Sequence, residues 1–151
     1  RLLLAMAQAA ARRSLPIEFV IVGHTDMDSA FATCANVTMT GRYREEDLFE
    51  LMAAQGAHAV FLSSVSPETY SYVLTTVIEA GFPVVAFNLG AQAERLSDLT
   101  PETTLLLDEE MAGAPARINR ALLGWIGDVK LPDTPVAVPD VSYSAEEYYG
   151  N

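Results

Sequence analysis

A chain of 151 residues, half of them hydrophobic, has the size of one globular domain and can bury a real core. Its formal charge of −11 at pH 7 argues against nucleic acid and against an anionic membrane surface, since both need a Lys/Arg face. The single cysteine, Cys34, excludes an internal disulfide and fits a reducing compartment.

Residues 2–14 read as a helix, with Leu2, Met6, Ala9 and Arg13 at helical spacing. Arg12 and Arg13 fall in its last turn, where the helix dipole favours cations. This explains the apolar start better than a secretory leader does, because Arg12-Arg13 stand where a cleavage site would be. Pro16 stops the helix. Residues 17–22 are almost all apolar, as expected of a strand covered on both faces. Residues 23–28 form a loop, and Asp28 can cap a short helix over 29–35. Residues 37–40 are a second strand, closed by Gly41. An amphipathic helix over 44–55 turns Leu48, Leu51 and Met52 inward and loads its first turn with Glu45, Glu46 and Asp47.

A third strand over 59–62 is followed by a loop, a helix over 71–80 and a buried strand over 84–87. A short helix over 91–96, a strand over 104–107 and a helix over 114–125 complete the pattern. Strand and helix alternate throughout. That predicts an α/β, Rossmann-like open parallel sheet with helices on both faces. No apolar run approaches the ~20 residues of a membrane span. Residues 1–128 are expected to form the domain, and 129–151 a tail. Pro132, Pro135 and Pro139 keep that tail extended, and Ser144-Ala145-Glu146-Glu147 signals a short terminal helix.

In open parallel sheets ligands bind beyond the carboxyl ends of the strands. Four loops fall there: 23–28, 41–44, 63–70 and 88–91. At the third, Glu68 and Ser71 stand where a loop becomes a helix. Free N–H groups and partial positive charge at such an end suit a phosphate-bearing ligand. Taken alone, Glu68 reads better as a first-turn acid complementing the dipole.

Several segments, in order, resemble the donor-binding half of group 1 (family-four) glycosyltransferases, which have two Rossmann domains. They are Phe19-Val20-Ile21-Val22-Gly23, Thr40-Gly41-Arg42-Tyr43, Phe61-Leu62-Ser63-Ser64 and Pro67-Glu68-Thr69-Tyr70-Ser71-Tyr72. Ala80-Gly81-Phe82-Pro83-Val84-Val85, then Asn88-Leu89-Gly90-Ala91 with Glu94-Arg95, complete the series. The resemblance spans about residues 17–110, and its Pro-Glu-Thr-Tyr-Ser-Tyr form looks like bacterial members that build surface polysaccharide.

The resemblance implies a nucleotide-sugar-binding domain whose parent enzyme moves a sugar from a nucleoside diphosphate to a saccharide acceptor. Glu68 would bind hydroxyls of the transferred sugar. Thr69 belongs to the same loop. Tyr70 and Ser71 would offer backbone N–H groups to the sugar and the diphosphate. Gly41, Arg42 and Tyr43 would flank the nucleobase. No metal and no cofactor are implied, and the cytoplasm is the expected location.

Two departures stand out. The family places a second glutamate eight residues after the first, to grip the ribose, and Thr76 stands there. A threonine cannot accept from both hydroxyls of a diol as a carboxylate can. Hydrogen bonds to charged groups are worth about 1.5–3 kcal/mol, so the swap would cost roughly ten- to a hundredfold in donor affinity. Glu79 lies on another helical face and does not substitute. The family's domain also opens with a central strand and a Gly-rich turn, which here would precede Leu2. The expected fragment therefore lacks that strand, part of the phosphate site and the acceptor-binding domain, and is expected to be inactive alone, with no catalytic residue of its own. The alternative is a degenerate domain of the same fold that binds or scaffolds. Either residues 17–22 and 59–62 close up, which is the favoured arrangement, or a partner chain such as a second copy adds a strand.

Other constellations are weak. His24, Asp26 and Asp28 alternate in a loop, but capping explains Asp28 better than a metal does. Gly-x-Ser-x-Gly, Gly-x-Gly-x-x-Gly and the P-loop are absent.

Overall fold

The computed structural model describes residues 1–66 and 71–127. The predicted tail and terminal helix lie outside the described residues, as do Glu68, Thr69 and Tyr70.

Strands and helices alternate as the periodicity predicts. The strands are β1 (Phe19–Ile21), β2 (Val37–Met39), β3 (Val60–Leu62), β4 (Val84–Phe87) and β5 (Thr104–Leu107). The helices are α1 (Leu2–Arg12), α2 (Asp28–Phe31), α3 (Leu48–Ala54), α4 (Tyr72–Glu79), α5 (Gly90–Ser97) and α6 (Pro115–Ile126). Every strand pairing is parallel: β1 with β2, β3 with β4, and β4 with β5. The fold is therefore α/β and Rossmann-like.

β4 is the best-covered strand. Val84, Val85, Ala86 and Phe87 are all buried. Alternate side chains face opposite layers, as the strand period of two requires. Val85 and Phe87 meet Met6, Ala7 and Ala10 of α1 and Ile118 and Leu122 of α6. Val84 and Ala86 meet Met52 of α3, Leu74 and Val77 of α4, and Leu96 of α5. The α1–α6 pair is tied by a buried hydrogen bond, Asn119 Nδ2 to the Met6 carbonyl, at 2.9 Å.

The sheet itself is divided. β1–β2 form one sheet and β3–β4–β5 another. Closure of β1 onto β3, favoured from the sequence, does not occur among the described residues. The exposure pattern agrees. Parallel strands covered on both faces are ordinarily buried throughout. Instead Val20 is 37% exposed between buried Phe19 and Ile21, and Val60, Phe61 and Leu62 are all half-buried. Closing by one strand spacing, about 4.8 Å, would slide the α1–α6 pair against the layer on the opposite face. The packing of both layers on β4 opposes that slide.

Local chemistry sets the helix ends. α1 stops through a left-handed residue before Pro16 is reached. Ser14 has φ +50°, and the Leu15 N–H donates to the Ala10 carbonyl at 3.0 Å, a Schellman-type closure. The helix expected over 29–35 is one turn long, because the chain must turn to enter β2. There Asn36 Nδ2 donates to the Ala7 carbonyl at 3.1 Å. The helix expected over 44–55 starts as a 3-10 turn, Glu45–Asp47, before α3.

Candidate functional site

A cleft of about 410 Å³ opens at the carboxyl ends of β1 and β2, lined by Val22, Gly23, His24, Arg42, Tyr43 and Glu45. Parallel pairing builds it. Ile21 is in register with Met39, so the two strand-end turns lie side by side. They are cross-linked: the Gly41 N–H donates to the Gly23 carbonyl at 3.0 Å, and the Gly23 N–H donates to Thr40 Oγ1 at 2.9 Å. Both glycines are left-handed, with φ +115° at Gly23 and +78° at Gly41. Gly23 also leaves room for the Tyr43 ring. A Cβ there would lie 3.3 Å from Tyr43 Cε1.

The loop between β1 and α2 is held by Asp28. Its Oδ1 accepts from the Thr25 N–H at 2.7 Å and from Thr25 Oγ1 at 2.9 Å, while the Met27 N–H donates to Thr25 Oγ1 at 3.0 Å. Asp28 thus reaches back to Thr25 in the manner of a capping box. It does not cap α2, whose N-cap makes no side-chain hydrogen bond. The two hydrogen bonds from Thr25, backbone first, hold the Asp28 carboxyl below its ordinary value. Among the described residues no group of three or more His, Cys, Asp or Glu is placed to hold a metal ion.

Arg42 and Tyr43 line this cleft, and Gly41 stands beside them in the turn that follows β2. Arg44 is turned elsewhere, to exposed ion pairs with Glu46 and with Asp47 at 3.7 Å. His24, in the 23–28 loop expected at the ligand-binding end but given no role there, and Glu45, which lies outside the expected loops, also line the cleft. The available signal was Gly23 and Gly41, each two residues beyond a paired strand end. The cleft offers an aromatic ring, a cation, a carboxylate and an imidazole beside open backbone, enough to stack and hydrogen-bond a planar polar ring.

Ser71 and Thr76 lie on the α4 side rather than in this cleft. Ser71 is buried and is the N-cap of α4, its Oγ accepting from the Leu74 N–H at 3.3 Å. Serine at this position satisfies an otherwise free helix N–H. Arg95, from α5, donates to the Ser71 carbonyl at 3.4 Å and to Thr75 Oγ1 at 3.0 Å. Thr76 Oγ1 donates to the Tyr72 carbonyl of its own helix at 3.4 Å. Glu79 is exposed.

The fold and the cleft define a class: an α/β protein of Rossmann-like arrangement whose concave surface lies beyond the carboxyl ends of parallel strands. The family described as glycosyl transferases group 1 matches residues 1–124, most of the chain, and the chain belongs to that family. No curated protein and no solved structure matches the chain. No helix among the described residues is long and apolar enough to cross a membrane.

Proposed function

We propose that this is the donor-binding domain of a glycosyltransferase that takes a sugar from a nucleoside diphosphate and delivers it to a saccharide acceptor in bacterial surface-polysaccharide synthesis. The observation that carries this is the cleft at the ends of β1 and β2, built by Gly23, Arg42 and Tyr43 within a chain of the group 1 family. The nucleobase would stack in that cleft. The diphosphate would meet the amides that open α4, at Tyr70 and Ser71, and Glu68 would bind the sugar hydroxyls. The acceptor would be presented by a second domain. Transfer needs both domains, so this domain alone binds donor without turning it over, in the cytoplasm.

One observation favours a second function, a non-catalytic binding or scaffolding module of the same fold. Thr76 stands where the family resemblance places a ribose-gripping glutamate, and its hydroxyl is bonded to its own helix. Calorimetric titration with UDP-, GDP- and dTDP-sugars separates the two. Donor binding that weakens in Glu68→Gln and strengthens in Thr76→Glu is expected. Binding indifferent to both substitutions counts against the site, and no binding by any donor favours the scaffold.

A further inference from the structure

We infer that the cleft beyond β1 and β2 selects guanine, so that the donor is a guanosine diphosphate sugar, an inference that rests on the donor-binding function proposed above. Arg42, Tyr43 and Glu45 line that cleft together. Arg42 and Glu45 carry opposite charges at the same i,i+3 spacing at which Arg44 pairs with Asp47. Arg44 also engages Glu46. Among the described residues, however, Arg42 and Glu45 form no ion pair with each other or with any other group. The backbone explains the division. Arg44 is extended, with φ −93° and ψ 145°, and Glu45 opens the 3-10 turn that leads into α3. Neighbouring side chains on extended backbone leave on opposite sides. Arg44 therefore turns away to Glu46 and Asp47, while Tyr43 and Glu45 stay with the cleft.

The chemistry of the bases decides what fits between the two charges. A base stacked on an aromatic ring is read at its edges. A carboxylate only accepts hydrogen bonds and a guanidinium only donates them, each in pairs. Guanine offers two adjacent donors, N1–H and the 2-amino group, to a carboxylate. It also offers two adjacent acceptors, O6 and N7, to a guanidinium. No other common base has both. Uracil and thymine carry one ring N–H between two carbonyls, so the second carboxylate oxygen would face a carbonyl oxygen. Adenine and cytosine set an amino group beside a ring acceptor, a pattern that suits an amide rather than either charge. His24 donates or accepts according to its tautomer and does not discriminate.

The test titrates GDP, inosine diphosphate (IDP), UDP and ADP into the wild type and into Glu45→Ala and Arg42→Met. IDP differs from GDP only in lacking the 2-amino group. Both side chains are exposed, so neither substitution touches the core. A bidentate contact discriminates between bases by roughly ten- to a hundredfold. The wild type should bind GDP at least about tenfold tighter than UDP or ADP, and tighter than IDP. In Glu45→Ala the advantage of GDP over IDP should vanish. Arg42→Met should weaken GDP and IDP alike and leave their ratio unchanged. UDP or ADP binding as tightly as GDP, or a GDP–IDP difference that survives in Glu45→Ala, overturns the inference while leaving donor binding intact. A wild type that binds none of the four overturns the donor-binding function itself, and this inference with it.

Discussion

The Tyr43 ring closes over Gly23: a Cβ on Gly23 would stand 3.3 Å from Tyr43 Cε1, so the ring would have to give by a few tenths of an ångström. The backbone there is also left-handed, at φ +115°. Gly23→Ala therefore meets two penalties, backbone strain and displacement of the ring. Strain of this kind costs about 1–3 kcal/mol, so chemical denaturation should show a loss of that size. Nucleotide binding should weaken as well, because Tyr43 forms one wall of the cleft.

Ser14 offers the opposite case. It occupies a left-handed position at the end of α1, with φ +50°. A non-glycine residue there costs about 1–2 kcal/mol, while glycine adds unfolded-state entropy. Ser14→Gly should raise stability by roughly 0.5–1 kcal/mol. The urea midpoint should rise with an unchanged slope.

Asp28 makes acid stability testable. Its carboxyl is held below the ordinary value of 3.8 by the Thr25 backbone and side-chain hydrogen bonds. A depressed folded-state pKa contributes stability above the unfolded value, and that contribution is lost as pH falls through the folded value. Between neutral pH and the ordinary value the contribution is constant. Below it, thermal midpoints of the wild type should fall more steeply with pH than those of Asp28→Asn. Parallel curves for the two proteins would show that the Thr25–Asp28 pair does not link to folding.

The divided sheet predicts an alternation of amide exchange. The Phe19 N–H donates to the Asn36 carbonyl, at the start of β2, at 2.9 Å. In a parallel ladder alternate amides point to opposite sides, so the Val20 amide points away from β2. By the same argument the Val60 N–H, bonded to the Pro83 carbonyl at 2.8 Å, places the Phe61 amide on the side away from β4. In a protein shown to be monomeric by light scattering, Val20 and Phe61 should exchange faster than Ile21 and Leu62. Slow exchange at Val20 and Phe61 in that monomer would mean that the two edges do pair.

Much of this was legible in the sequence, and the rest was hidden for identifiable reasons. The bounds of β4 and β5 follow from apolar runs between helical patterns, whereas the capping role of Ser71 was not read from the sequence, which gave only its place at a loop–helix junction. The 3-10 turn Glu109–Gly113 and the left-handed Ser14 carry no periodic signal, since each depends on a few backbone hydrogen bonds. The separation of β1 from β3 was not legible either. An apolar strand pattern gives burial demand without saying which neighbour meets it. Among the cleft-lining residues, Arg42 and Tyr43 had been named through the family resemblance. His24 and Glu45 required the β1–β2 register, which brings residues from separate turns to one wall.

The proposed function requires a nucleotide-sugar donor to bind beyond the strand ends, between the Gly23–Tyr43 cleft and the start of α4. Amide chemical shifts of the labelled protein, followed while UDP-, GDP- and dTDP-sugars are added in turn, test it most directly. At least one donor should move the amides of residues 22–24, 41–45 and 71–76 together, with a common dissociation constant. Shifts confined to other surfaces, or no shifts with any donor at millimolar concentration, would contradict it.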